Sequence, residues 1–126
     1  MVKQIVSTEK APGAVGPYSQ AVAIDGWLFC SGQVALDPAS GELVGGSITD
    51  ETKKALDNLT AVLEAGGSDW SKVVKTTCYL TDMADFVEFN EAYAAYVGDE
   101  PPARATIAVA GLPKGARVEV ECIARP

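Results

Sequence analysis

At 126 residues, with 48% hydrophobic and 21% charged residues, the chain has the composition of one globular domain rather than of a disordered segment. Its net charge of −7 repels nucleic acid, and its lack of histidine excludes Cys-His and Ser-His nucleophile pairs and every histidine-bearing metal site. No apolar run approaches the ~20 residues that span a bilayer, and Met1-Val2-Lys3-Gln4-Ile5 opens no signal-peptide core, so a cytoplasmic protein without membrane contact is expected.

Lys3 to Ser7 is predicted as a short strand. Ala11-Pro12-Gly13-Ala14-Val15-Gly16-Pro17 is loop, because two prolines and two glycines prevent regular pairing. Ser19 to Ile24 and Trp27 to Val34 form two strands joined at Asp25-Gly26, a strong hairpin signal. Asp37-Pro38-Ala39-Ser40-Gly41 is a turn and Gly45-Gly46 a joint. Thr49 is predicted to cap a helix, with Asp50 and Glu51 at the positive end of its dipole. Ala55, Leu56, Leu59, Val62 and Leu63 make its apolar stripe, and Gly66-Gly67 ends it. Lys72 to Leu80 follows as a strand rich in β-branched residues. Thr81 or Asp82 is expected to cap a second helix with the stripe Phe86, Phe89, Tyr93, Tyr96 and Val97, stopped by Gly98. Ala103 to Val109 and Val118 to Ile123 are the last strands.

The order β-β-β-α-β-α-β-β implies an α+β fold: one mixed β-sheet with two helices packed on one face, in a single domain over residues 1–126. The sheet's other face also carries apolar side chains. A further copy of the chain is its expected cover, so a homo-oligomer is predicted. Cys30, Cys78 and Cys122 are widely spaced within apolar stretches and read as reduced core thiols. The glycosylation-like triplet Asn58-Leu59-Thr60 falls inside a helix and is taken as chance.

Some residues break the local pattern. Arg104 opens an apolar strand, and its planar fork suits two-point binding of a carboxylate; the alternative is an ion pair at a subunit contact. Glu121 lies beside Ile123 on the second face of the last strand, where a partly buried carboxylate acts as general acid or base; the alternative is a solvated glutamate. Asn90 falls within the second helix's apolar stripe, where a buried amide needs partners, either in a site or in a helix-to-loop bond. Gly16-Pro17-Tyr18-Ser19 and Ser31-Gly32-Gln33 bracket the first hairpin. Gly32 there permits close approach of a ligand, Tyr18 offers an apolar cover, and ordinary turns use the same residues.

Gly16-Pro17-Tyr18-Ser19-Gln20-Ala21, Phe29-Cys30-Ser31-Gly32-Gln33, Phe86 through Asn90, Pro102-Ala103-Arg104, and Leu112-Pro113-Lys114 leading to Val118 through Ala124 together resemble the RidA (YjgF) family of reactive intermediate deaminases. The resemblance runs nearly end to end. It implies a chorismate-mutase-like fold, a homotrimer with a barrel-like core, and sites in clefts between subunits. It also implies hydrolysis of 2-imino acids such as 2-iminobutanoate and 2-iminopropanoate to 2-oxo acids and ammonia. Arg104 would grip the substrate carboxylate, and Glu121 would hold a water and shuttle a proton. Tyr18, Ser31, Gly32 and Asn90 would shape the cleft. An imine is already electrophilic, so no cofactor and no metal are expected. Thr106 stands where many members have cysteine, and would keep a backbone contact while removing thiol chemistry. The competing classes are a non-catalytic trimeric sensor of small carboxylates, a chaperone-like protein and, least suited to the acidic chain, a ribonuclease.

Overall fold

The computed structural model describes residues 2–126 and shows the expected element order. The strands are β1 (Gln4–Val6), β2 (Ala21–Ile24), β3 (Trp27–Gln33), β4 (Val73–Leu80), β5 (Ala103–Ala108) and β6 (Val118–Ala124); the helices are α1 (Ile48–Ala65) and α2 (Phe86–Val97). Asp25 and Gly26 both take positive φ, 54° and 76°, the geometry that a two-residue hairpin between right-twisted strands requires.

The six strands form one mixed sheet in the order β1-β2-β3-β6-β4-β5. The last strand in the chain therefore lies centrally, antiparallel to both β3 and β4. β4 and β5 run parallel with α2 as their crossover, and β5 is left at the edge. Along β6 the period of two is complete: Val118, Val120, Cys122 and Ala124 are buried beneath the helices, while Glu119, Glu121 and Ile123 face the other way. α1 packs its fully buried stripe of Ala55, Leu56, Leu59, Val62 and Leu63 over β3 and β6. Trimming one of those leucines to alanine would cost about 2–5 kcal/mol. The opposite face shows Ile5, Phe29 and Ile107, which are 58%, 45% and 46% exposed.

Two predicted caps are displaced. α1 is capped by Ser47 instead of Thr49: Asp50 N donates to Ser47 Oγ (3.1 Å) and Ser47 N to Asp50 Oδ2 (3.3 Å). A capping box needs an acidic or amide side chain three residues on, and Thr52 cannot return that bond for Thr49. Thr49 instead donates through N and Oγ1 to Glu88 Oε2, both at 2.9 Å, and so ties α1 to α2. Asp82 caps a short 3-10 turn, Met83–Asp85, which runs directly into α2. In α2, Phe89 and Tyr93 are buried and stacked, whereas Tyr96 turns to α1 and donates to Asp57 Oδ1 at 2.6 Å. Among the described residues no helix is long and apolar enough to cross a membrane.

Candidate active site

A bulge in β3 organises the first group of predicted residues. Cys30 pairs with Cys122 and Gln33 with Val120, so Ser31 and Gly32 together stand opposite the single residue Glu121. Such a two-against-one step re-aims side chains and ends the strand's alternation. Ser31 is fixed at both ends, its N donating to Gln20 O (2.9 Å) and its Oγ to Ser19 O (2.6 Å). The buried Gln20 in turn pins the preceding loop: its amide donates to Pro12 O at 2.8 Å and accepts from Thr8 N at 2.7 Å. That loop leads to Tyr18, half-exposed, which lines a cavity of about 420 Å³ with Ser31, Gly32, Lys114 and Glu119.

Glu121 lies on the open face, half-buried, and its Oε1 accepts the hydrogen bond of the Tyr79 hydroxyl. That bond pushes the Tyr79 phenol up to about 12, because ionising it would place a second negative charge beside the carboxylate. Glu119, on the same face, is held above the usual carboxylate range, through burial first and the nearby Glu121 second. Glu119 rests on Gly32 so closely that a Cβ there would lie 2.6 Å from its Oε2.

Arg104 forms the second group. Its Nη1 donates to Asn90 Oδ1 at 2.8 Å, and its guanidinium lies over the rings of Tyr93 (4.9 Å to the centroid) and Phe86 (5.5 Å). The half-buried Asn90 thus braces the cation, and the ring faces stabilise its charge without using its remaining N–H donors. Tyr93 is held in place by a 2.7 Å hydrogen bond between its hydroxyl and that of Thr76. Among the described residues Arg104 has no carboxylate partner, so the ion-pair alternative finds none within the chain. Thr106 lies two residues further along β5, paired with Cys78, and its buried Oγ1 has no hydrogen-bond partner. Because β5 is an edge strand, backbone groups at this position face outward.

The two groups do not meet within one chain. Arg104 pairs with Thr76 of β4 and projects to the helix side; Glu121 pairs with Thr77 and projects to the open face. The predicted residues therefore fall into two separate groups: Ser31 and Gly32, opposite Glu121 and lining one cavity with Tyr18, and Arg104 with Asn90, two residues before Thr106 on β5.

The three cysteines are free and buried as expected. Burial pushes the Cys78 thiol up to about 11, and the Cys30 contact pushes Cys122 further still, so neither supplies a thiolate near neutrality. Among the described residues no group of cysteine and carboxylate side chains is spaced to hold a metal ion. Sequence reasoning missed Tyr79, Glu119 and Gln20. Glu119 was legible, since period two puts it on the face of Glu121. Tyr79 was not, because its contact depends on β6 inserting beside β4.

A family model described as endoribonuclease L-PSP matches residues 8–125. The 2-iminobutanoate/2-iminopropanoate deaminase of Mus musculus is 52% identical over 124 residues, which cover 98% of this chain and 92% of that protein. Among solved structures, a putative endoribonuclease from Thermotoga maritima superposes with a TM-score of 0.96 at 49% identity, covering 99% of this chain and 98% of that one. The TdcF protein of E. coli, solved with bound serine, superposes with a TM-score of 0.90 at 35% identity, covering 98% of each chain.

Proposed function

The chain belongs to the endoribonuclease L-PSP (YjgF/RidA) family, and we propose that it is a hydrolytic deaminase that converts reactive 2-imino acids, 2-iminobutanoate and 2-iminopropanoate, to 2-oxo acids and ammonia. The observation that carries this reading is Arg104, braced by Asn90 over two aromatic rings with donors left free for a carboxylate. The deaminase named in the mouse relative acts on substrates that bear that group.

In this reading residues 1–126 form one RidA-like domain, and three copies close a barrel over the apolar open face. Arg104, Asn90 and the Thr106 backbone of one subunit then face Tyr18, Ser31, Gly32 and Glu121 of the next. Arg104 holds the substrate carboxylate in two-point contact. Glu121 takes a proton from water as the oxygen attacks the imine carbon, and the C=N electron pair moves to nitrogen. The proton passes to that nitrogen to give a carbinolamine; Glu121 then carries the remaining hydroxyl proton to the amine, the C–N bond breaks, and ammonia leaves as the C=O forms. Positioning together with one acid-base group is worth about 10²–10⁴-fold from the proton transfer alone, which is enough for an activated C=N bond. No cofactor takes part. Three free, buried thiols suit the reducing cytoplasm.

The test couples the protein to a threonine dehydratase and follows imine decay and ammonia release. Acceleration over buffer is expected, with loss in Arg104→Ala. No acceleration, or full activity in Arg104→Ala, would refute the reading. The serine bound to the E. coli relative, an amino acid and not an imine, favours a second reading as a sensor of small carboxylates. That reading requires Glu121→Ala to leave cellular function intact. A nuclease is disfavoured by the net charge of −7 and is checked by RNA cleavage that a site variant abolishes.

A further inference from the structure

We propose that Tyr79 is a positioning residue of the deaminase site, whose hydroxyl holds the Glu121 carboxylate opposite the Ser31-Gly32 bulge by donating to Oε1 and leaves Oε2 for the attacking water. This rests on the reading of Glu121 as the group that activates water.

The register is the starting point. The residue directly across from Tyr79 on β6 is Glu119, yet the Tyr79 hydroxyl reaches diagonally along the strand to Glu121. Diagonal neighbours in an antiparallel pair lie about 7–8 Å apart, a span that an aromatic side chain with a terminal hydroxyl bridges and a phenylalanine does not. The contact selects one oxygen of one carboxylate. Glu121 projects from a strand between a bulge on one side and β4 on the other, and among the described residues the Tyr79 phenol is the hydrogen-bond donor that fixes its rotamer.

The charges around Glu121 make that donor matter. Glu119 stands two residues away on the same face, and like charges at that spacing favour swinging apart or sharing a proton. Lys75 of β4 lines the same recess as Glu121, and the Cys30 and Cys122 thiols lie beneath the sheet. β3 contributes Phe29 and the bulge besides Cys30. A donor on Oε1 holds the Glu121 side chain in place against the repulsion of Glu119. With its phenol pushed up to about 12, Tyr79 stays a neutral donor throughout the working range of such an enzyme.

Tyr79→Phe removes one oxygen from a half-exposed ring and leaves the strand intact. Steady-state rates on 2-iminobutanoate generated in situ are compared across pH for the parent, Tyr79→Phe, Glu121→Gln and the double variant. In Tyr79→Phe the expected result is about a tenfold lower kcat across the pH range with KM within about twofold, the split of a group that acts in the transition state alone. In the Glu121→Gln background the same substitution changes the residual rate less than twofold. A Tyr79→Phe profile that coincides with the parent's, or losses that multiply in the double variant, would overturn the inference while an inactive Glu121→Gln left the deaminase reading standing. Full activity in Glu121→Gln would instead bring down the reading on which the inference rests.

Discussion

Arg104 and Glu121 stand on opposite faces of one sheet, flanking β4 at adjacent register positions, Thr76 and Thr77. A residue of one face and a residue of the other cannot close on one small substrate, so a site that uses both must draw them from two chains. Arg104→Ala and Glu121→Ala are therefore expected to be inactive alone and to complement when mixed. In a three-fold assembly refolded from equal amounts, random mixing restores about a quarter of parental activity, since every mixed trimer holds one intact cleft. The measurement is ammonia release before and after co-refolding, and persistent inactivity of the mixture would exclude a shared site.

Phe29 and Ile107, each nearly half exposed, lie on the open face on either side of the central strands. A carboxylate introduced at either point would have to be desolvated on assembly, which costs several kcal/mol for an unpaired charge. Ile107→Asp is expected to yield a folded monomer with normal far-UV circular dichroism and without deaminase activity. Light scattering coupled to size exclusion gives the mass, and an unchanged oligomer would show that this face is not the interface.

Local rules account for most of the fold. Asp25-Gly26 demands a two-residue hairpin, the stripe from Ala55 to Leu63 demands a buried helix face, and the alternation from Val118 to Ala124 assigns each β6 residue to a side. What escapes these rules is pairing. Nothing in the element order states that β6 inserts between β3 and β4, and the bulge at Ser31-Gly32 shifts parity by one residue. Hence Arg104 and Glu121 are both legible as candidate site residues, while their placement on opposite faces is not. Ser47 over Thr49 as the cap was within reach, because Asp50 completes the box only for Ser47.

Glu51 is 1% exposed, and its carboxylate accepts from Arg117 Nε at 2.9 Å and from Arg117 N at 3.2 Å. Arg117 Nη2 also donates to Gly46 O at 2.6 Å, so one side chain ties the start of α1 to the start of β6. Arg117→Ala keeps the backbone donor but leaves a buried charge without its cation. Removing a partner from a fully buried pair costs about 3–5 kcal/mol; with the Arg117 side chain 42% exposed, a loss of about 2 kcal/mol is expected. Urea unfolding should show a lower midpoint at an unchanged slope, and a loss under about 0.5 kcal/mol would show the pair to be incidental.

Arg104→Lys keeps the charge but gives up the planar fork that bonds Asn90 over the two rings and leaves donors for a substrate carboxylate. The expected result is a rise in KM for the imino acid of about tenfold or more, with a smaller effect on kcat, because the lost contact is made in ground and transition states alike. Asn90→Ala, which frees the guanidinium without removing it, should also raise KM, by a smaller factor. Equal KM values for parent and lysine variant would mean that one-point charge attraction suffices.

Glu119 offers a test of pH linkage. Burial first and the neighbouring Glu121 second hold its carboxyl above the ordinary 4.5, so the folded chain binds this proton more tightly than the unfolded chain does. Stability from this group is then fully present below the unfolded value and is lost as pH rises through the raised folded value. At pH 7 the ionised side chain, pressed against Gly32 on the face of Glu121, destabilises the fold relative to a neutral isostere. Glu119→Gln is therefore expected to raise Tm at pH 7 by about 1–3 °C, a small figure because half of the group is in water, and to match the parent near pH 3.5. A lower Tm at pH 7 would mean that the ionised carboxylate has a stabilising partner, for which Lys114, which lines the same cavity, is the cation to try by charge reversal.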